Sequence, residues 1–387
     1  MFETLSCWCA FAALLVVVRL VPPDRESMRA GVLAFVSLVA IIVVLHLSLA
    51  VAALIVASTA WIAAVVPRLS RGSSHPIRTA LLAIAPVALL WAVGKIAFAN
   101  QLPLGWLFFL GSSFFLVKAF SLIRDRIDGK AKNASPALIG AYLLYFPTYL
   151  SGPMHYWDEF DDAFRNPESL SGADAIDVAF RFTWGLFKVQ VLAVLLGPLS
   201  LTALVTAPAI SLPHLIAGAL VYSWVLYFNF SGYVDMAIAV SRLIGLRVPE
   251  NFHLPYLSQS IRDFWRRWHI TFSRALTAHV FMPLSRTLAT KVGTRRALVP
   301  VIGYLVTFIF AGFWHGATLN FLLWGAYHGV GLVGHDLYQR NFRKKGPPGP
   351  ANIVTTSVSV AATYVFVSLG WIFFVLPVGQ LGRIVWH

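Results

Sequence analysis

The chain has 387 residues, 58% of them hydrophobic and 12% charged, and a mean hydropathy of +0.74. A soluble globular domain carries about 25% charged residues, so these values exclude an ordinary soluble fold and point to an integral membrane protein. The net charge of +14 does not mark a nucleic-acid binder, because the basic residues fall in short loops between apolar runs, the positive-inside pattern of an inner membrane.

A helix needs about 20 apolar residues to cross the hydrocarbon. Residues 8–22 read as a first span that is retained rather than cleaved. Cys7 and Cys9, the only cysteines, lie in the same apolar run and cannot frame a disulfide scaffold. Residues 30–67 are free of charge and long enough for two crossings, and 79–99 and 103–123 give two more, interrupted only by Lys95 and Lys118. A span at 136–152 follows. Residues 158–177 concentrate Asp158, Glu159, Asp161, Asp162, Glu168, Asp174 and Asp177, which predicts a solvated loop or a surface for a partner. The charge-free stretch 189–234 divides at Pro208 and Pro213 into two spans, 297–335 gives two more and 352–376 the last. The predicted fold is all-α: a polytopic membrane bundle of about eleven helices, one integral-membrane domain over 1–387, without an internal repeat.

Loop charges set the topology. The basic clusters at 68–78 and 124–132 lie two spans apart and share a side, the cytoplasm. The clusters at 286–296 and 340–345 fall on the wrong side unless one more crossing hides in 246–285. That stretch is too polar for an ordinary span, so broken or re-entrant helices are expected there, tolerated only where they line a cavity or are buried in protein.

Residues 260–274 read SIRDFWRRWHITFSR. Ile261, Phe264, Trp265, Trp268 and Phe272 recur at helical spacing, while Arg262, Asp263, Arg266 and Arg267 fill the remainder, with Asp263 four before Arg267. The pattern predicts an amphipathic interfacial helix with His269 on the border of its two faces. Residues 311–318 read AGFWHGAT. His315 closes a long apolar run, Gly316 permits close approach, and imidazole suits proton transfer near neutral pH. On the next helix Asn320, Trp324, His328, Gly331 and His335 fall along one face, as hydrogen-bonding glue between helices or as the wall of a site. Asp235 and Arg242, seven apart, share a face and either pair through other groups or shape a channel. No HExxH, Walker A loop, GxSxG elbow, CxxC pair or His-x4-Asp pattern occurs, and no ligand cluster suggests a metal. Spacing alone leaves a transporter or flippase and a membrane scaffold open beside an enzyme.

The segments YFPTYLSGPMHYWDEF (145–160), FNFSGYVDMAIAVSRLIGLRVPENFHLPYLSQSIRDFWRRWHITFSR (228–274), FMPLS (281–285), GFWHGATLNFLLWGAYHG (312–329) and LGWIFF (369–374) together resemble the membrane-bound O-acyltransferases, in particular the bacterial branch that serves alginate O-acetylation and teichoic acid D-alanylation. The likeness covers 101–376, while 1–100 match only as apolar spans. It implies re-entrant helices around a central tunnel, with His315 catalytic and His269 as the second histidine. Trp268, Arg266, Arg267, Trp314, Asn320, His328 and Asp235 are the candidate substrate-binding residues. Of these, Arg266, Trp268 and Trp314 are, with His269, candidate oxyanion donors by nearness of motif. The family often has an aspartate just before FSGY, where this chain has Asn229. The resemblance implies a multi-pass protein of the bacterial inner membrane with no bound cofactor. An acyl thioester, acetyl-CoA or an acyl carrier protein, would be the cytoplasmic donor. A hydroxyl on a cell-envelope polysaccharide or an extracytoplasmic partner protein would accept the acyl group. The GATLN run resembles acetylating members and HGVGLVGHDLYQR D-alanylating ones, and acetyl is favoured.

Overall fold

The computed structural model describes residues 21–385, apart from 23, 110, 292–296 and 343–351. Cys7, Cys9 and the span expected to begin at residue 8 lie outside the described residues, as do parts of the two later basic clusters. The chain forms two compact units, the first running to Leu186 and taking in Tyr233–Pro249, the second comprising Phe187–Gly232 and the chain from Glu250 onward.

The first unit opens with α1 (Glu26–Val44), α2 (Leu49–Val65), α3 (Pro76–Ala99) and α4 (Ser112–Ile127). The stretch ahead of α4, expected to lie within one span, is a 3-10 turn at Pro103–Leu107. Lys95 and Lys118, the two lysines that interrupt these apolar runs, are buried over aromatic rings. Lys118 donates to the carbonyl of Tyr142 and sits 4.7 Å from that ring, while Lys95 lies 3.3 Å from Ser113 Oγ and 4.5 Å from the Phe108 ring. Ring faces and hydrogen bonds thus replace part of the lost hydration. The span expected at 136–152 is broken into α5 (Pro136–Leu144) and a turn at Phe146–Tyr149. Pro147 disfavours a helical residue before it, and the Phe146 N–H is instead taken by Ser37 Oγ at 3.3 Å.

The acidic stretch is largely helical rather than a loop. It holds α6 (Trp157–Arg165) and the start of α7 (Gly172–Phe187), a helix that begins well before the expected residue 189. Some of its acids are held in ion pairs: Arg165, which also reaches Glu26 at 2.5 Å, pairs with Asp161 at 2.7 Å, and Arg242 with Asp174 at 3.4 Å. A π-turn at Lys188–Leu192 extends α7 into the second unit, and α8 (Leu212–Leu243) follows, its residues from Tyr233 belonging to the first.

The rest of the second unit is built from α9 (Ile261–Arg267), α10 (Ile270–Leu276), a π-turn at Thr277–Phe281, α11 (Met282–Lys291), α12 (Leu298–His315), α13 (Leu319–Asn341) and α14 (Ile353–Val375). The broken helices expected in 246–285 are therefore present. The single amphipathic helix expected over 260–274 is not, because it stops at Trp268. Strand pairing among the described residues is limited to a two-residue parallel ladder of Ile210–Ser211 with Ile384–Val385 and one isolated antiparallel bridge. Seven helices among the described residues are long and apolar enough to cross a membrane, so the chain is a polytopic, all-α membrane protein.

Candidate active site

The site begins at the break between α9 and α10. Ser260 Oγ caps α9 by accepting from the Asp263 N–H at 3.2 Å, and Asp263 holds Arg267 at 3.0 Å, the pair expected from their spacing. Trp268 then turns extended (φ −103°, ψ 128°) and His269 takes the left-handed conformation (φ 46°, ψ 52°). That conformation is unfavourable for a residue with a Cβ and needs support from its surroundings.

The support comes from the PENF segment. Phe252 and Trp268 form an antiparallel bridge, with His253 N–H donating to Arg267 O at 2.9 Å and Ile270 N–H to Asn251 O at 3.0 Å. The fully buried Asn251 reaches across the break. Its Oδ1 accepts from the Thr271 N–H at 3.1 Å and the Thr271 hydroxyl at 2.9 Å, and lies 3.2 Å from His269 Nδ1. An amide oxygen only accepts, so His269 donates through Nδ1–H, and in the neutral ring Nε2 carries the lone pair. Phe230, at 4.8 Å and perpendicular, and Phe272, at 4.9 Å, hold the imidazole from both sides.

His315 is placed by the α12–α13 hairpin. A Cβ at Gly312 would strike the carbonyl of Phe321, and one at Gly325 the carbonyl of Phe308, so glycine alone lets the two helices approach backbone to backbone. A Cβ at Gly316 would strike the Phe321 ring. His315, the last residue of α12, is half-buried, whereas His269 and His328 are buried. Its ring meets Trp324 edge-on at 5.0 Å and Phe374 of α14 at 5.1 Å.

Three imidazoles thereby share one aromatic wall. Phe272 lies 4.9 Å from His269 and 5.9 Å from His315, and Trp314 also touches both. Trp324 links His315 to His328, at 5.0 and 4.9 Å. His315 lies within electrostatic reach of each of the other two histidines.

Of the residues singled out in the sequence, His315, His269, His328 and Trp314 come together here. Trp268 stacks on Phe264 at 5.6 Å and packs against Trp371, one ring further back. Asn320 spends its amide on the chain after α14, donating to Leu376 O and accepting from Val378 N–H at 3.1 Å. Arg267 is held by Asp263, while Arg266 is exposed and lines two neighbouring cavities. Asp235 belongs to the first unit and pairs with Arg181 at 3.0 Å. Sequence reasoning gave no role to Asn251 or Phe374 and placed Phe272 only on the apolar stripe of a helix, not between the two histidines. Among the described residues no cluster of histidine, cysteine and acidic side chains is arranged to hold a metal ion.

The fold and site define a polytopic helical membrane protein with a histidine cluster carried on a broken helix and a glycine-tight hairpin. The family model for membrane-bound O-acyltransferases matches residues 82–377, and the chain belongs to that family. It is 34% identical over 235 residues to a peptidoglycan O-acetyltransferase of Helicobacter pylori, covering 60% of this chain and 42% of the relative. It is 32% identical over 283 residues to a teichoic acid D-alanyltransferase of Streptococcus thermophilus, covering 69% and 68%. A protein of Pseudomonas syringae pv. tomato named "Probable alginate O-acetylase" is 33% identical over 271 residues, covering 68% and 48%. The chain thus spans about half the length or less of two of these three relatives.

Proposed function

We propose that this protein is a multi-pass O-acyltransferase of the bacterial inner membrane. It moves a short acyl group, acetyl in preference, from a cytoplasmic thioester to a hydroxyl on a cell-envelope polysaccharide or an extracytoplasmic partner protein. Acetyl-CoA or an acyl carrier protein supplies the thioester. The observation that carries the reading is the half-buried His315 packed through shared rings against His269 and His328. The likeness to two named O-acetylating relatives supports it and sets it apart from a transporter.

In the proposed reaction His315 removes the proton of the accepting hydroxyl as its oxygen attacks the thioester carbonyl. The tetrahedral intermediate collapses with cleavage of the carbon–sulfur bond, and the departing thiolate recovers the proton from the imidazolium. A positioned base of this kind contributes about 10²–10⁴-fold. His269, with Nδ1–H given to Asn251, keeps its lone pair at Nε2 and so does not donate to the oxyanion; it supports the base through Phe272 and Trp314, the rings it shares with His315. Trp314 and His328 complete the wall around the base.

D-alanyl transfer is the second reading, favoured by the 68% coverage of the streptococcal D-alanyltransferase. Mass spectrometry of envelope polymers from cells with and without the gene decides between them. An O-acetyl ester that disappears with the gene supports the first reading, a D-alanyl ester the second, and unchanged polymers contradict both.

A further inference from the structure

The rings around His315 differ in exposure. Phe272, Trp314 and Trp324 are buried, whereas Phe321 and Phe374 are half-buried, as the imidazole itself is. The part of His315 that a reactant can reach therefore lies on the side of Phe321 and Phe374. There the rings close on one another. Phe374 stands edge-on to His315 at 5.1 Å and edge-on to Phe321 at 4.9 Å, while Phe321 is inclined 21° to His315 at 6.3 Å. Edge-on rings at such separations are in van der Waals contact, so the space in front of the imidazole ends at Phe374.

Both phenylalanines are held from behind. The Phe321 ring lies against Gly316, where a Cβ would strike it. Phe374 packs edge-on against Trp324 and Trp371, at 5.6 Å from each. Asn320, beside Phe321 in the chain, donates to Leu376 O and accepts from Val378 N–H at 3.1 Å, just past Phe374. This amide clasp ties the start of α13 to the end of α14 and so fixes the gap between the two rings. The basic residues ahead of α12 place its start at the cytoplasmic face. Its 18 residues rise about 27 Å, so His315 stands towards the opposite face. In a thioester delivered from the cytoplasm the sulfur trails and the acyl group leads.

We propose that Phe374, held against Phe321 by the Asn320 clasp, limits the length of the acyl group that this protein transfers. An acetyl or D-alanyl group fits in front of His315, and a chain of butyryl length or longer strikes the Phe374 ring. A packed aromatic wall yields little to an intruding group, and a hydrophobic pocket discriminates a single methylene by about 10–200-fold in rate. Phe374 is thus a specificity residue and Asn320 a positioning residue that acts through the two rings. The assignment rests on the acyl-transfer reading above and deepens it.

The test supplies S-acyl pantetheines, which carry the arm common to coenzyme A and acyl carrier proteins, to the purified full chain. An envelope fraction from cells lacking the gene serves as acceptor. Acetyl, D-alanyl, butyryl and hexanoyl esters are then counted by mass spectrometry. The parent should transfer the better of the two short groups at least about tenfold faster than butyryl. Phe374→Ala should raise the ratio of butyryl to that short group about tenfold or more, and Phe374→Leu, which covers the case of an alanine variant that does not fold, should raise it by less. Asn320→Ala should move the ratio in the same direction. Phe366→Ala loosens the same helix at a different ring stack, with Tyr327 at 4.4 Å, and should leave the ratio unchanged. A parent indifferent to chain length, folded Phe374 variants with the parental ratio or with no transfer at all, or an equal shift in Phe366→Ala would overturn the proposal while acyl transfer stands. Transfer of neither short group by the parent would overturn the acyl-transfer reading and this assignment with it.

Discussion

The Nδ1 atom of His269 lies 3.2 Å from Oδ1 of Asn251, across the break that separates α9 from α10. The same oxygen takes both donors of Thr271, so a single amide orients the second histidine and stabilises the kink that presents it. Replacing Asn251 by Ala removes the acceptor that three buried donors share. Each unsatisfied group costs about 1–3 kcal/mol, so the variant should melt at markedly lower temperature and lose acyl transfer. Asn251→Asp keeps an acceptor and should retain more of both. Thermal unfolding in detergent beside an acyl-transfer assay checks the order; equal behaviour of the two variants would show that the oxygen is not the reason for the residue.

The left-handed backbone of His269 separates its conformational role from its chemical one. Glycine and asparagine tolerate this region and β-branched residues do not. His269→Asn and His269→Gly should therefore fold and be inactive, whereas His269→Val should be destabilised as well. Size-exclusion profiles and activity of the three proteins test this, and an active glycine variant would remove the imidazole from the mechanism.

The α12–α13 hairpin tolerates no Cβ at Gly312 or Gly325. Gly312→Ala and Gly325→Ala are expected to destabilise the protein by about 3 kcal/mol and to reduce activity by displacing His315. Gly334, on the same helix with open space around it, serves as the control, and Gly334→Ala should be neutral or slightly stabilising.

Asp125 lies beyond the apolar stretch of α4, in its last turn. Burial pushes its carboxyl up to about 6, against the opposing pull of Lys130. A carboxyl raised above its unfolded value of 3.8 binds more protons in the folded state, so stability falls as pH rises from about 4 to about 6 and stays lower above that. The penalty at neutral pH is about 3 kcal/mol. Asp125→Asn should raise the unfolding midpoint at pH 7.5 and flatten its dependence between pH 4 and 6; a parent protein that is no less stable at pH 7 than at pH 4.5 would contradict this.

The sequence made the membrane class legible because apolar length is a direct physical requirement of the bilayer, and the helices at 26–44, 49–65, 76–99, 298–315 and 353–375 fall close to where charge-free runs place them. Boundaries failed where interactions distant in sequence decide them. α7 begins inside the acidic stretch because ion pairs such as Asp174 with Arg242 offset its charge, which periodicity does not encode. The helix over 260–274 was read through Trp268 because its apolar stripe continues past the break, and the competing hydrogen bonds come from Asn251, eighteen residues earlier. His269, His315 and Trp314 were recognisable as motif residues. Asn320 and Asp235 are legible only as polar residues on apolar helices, which bind substrate or tie helices together; the structure shows Asn320 clasping the backbone after α14 and Asp235 paired with Arg181.

The central claim is that the His315 imidazole is the base for acyl transfer. The most direct measurement is the single-turnover rate of transfer from an acyl thioester to an acceptor hydroxyl by the purified full chain and by His315→Ala and His315→Gln, each shown to be folded by its unfolding midpoint. The account predicts at least a hundredfold loss in both variants with the midpoint preserved. Transfer at the parental rate by a folded His315→Ala protein would contradict it.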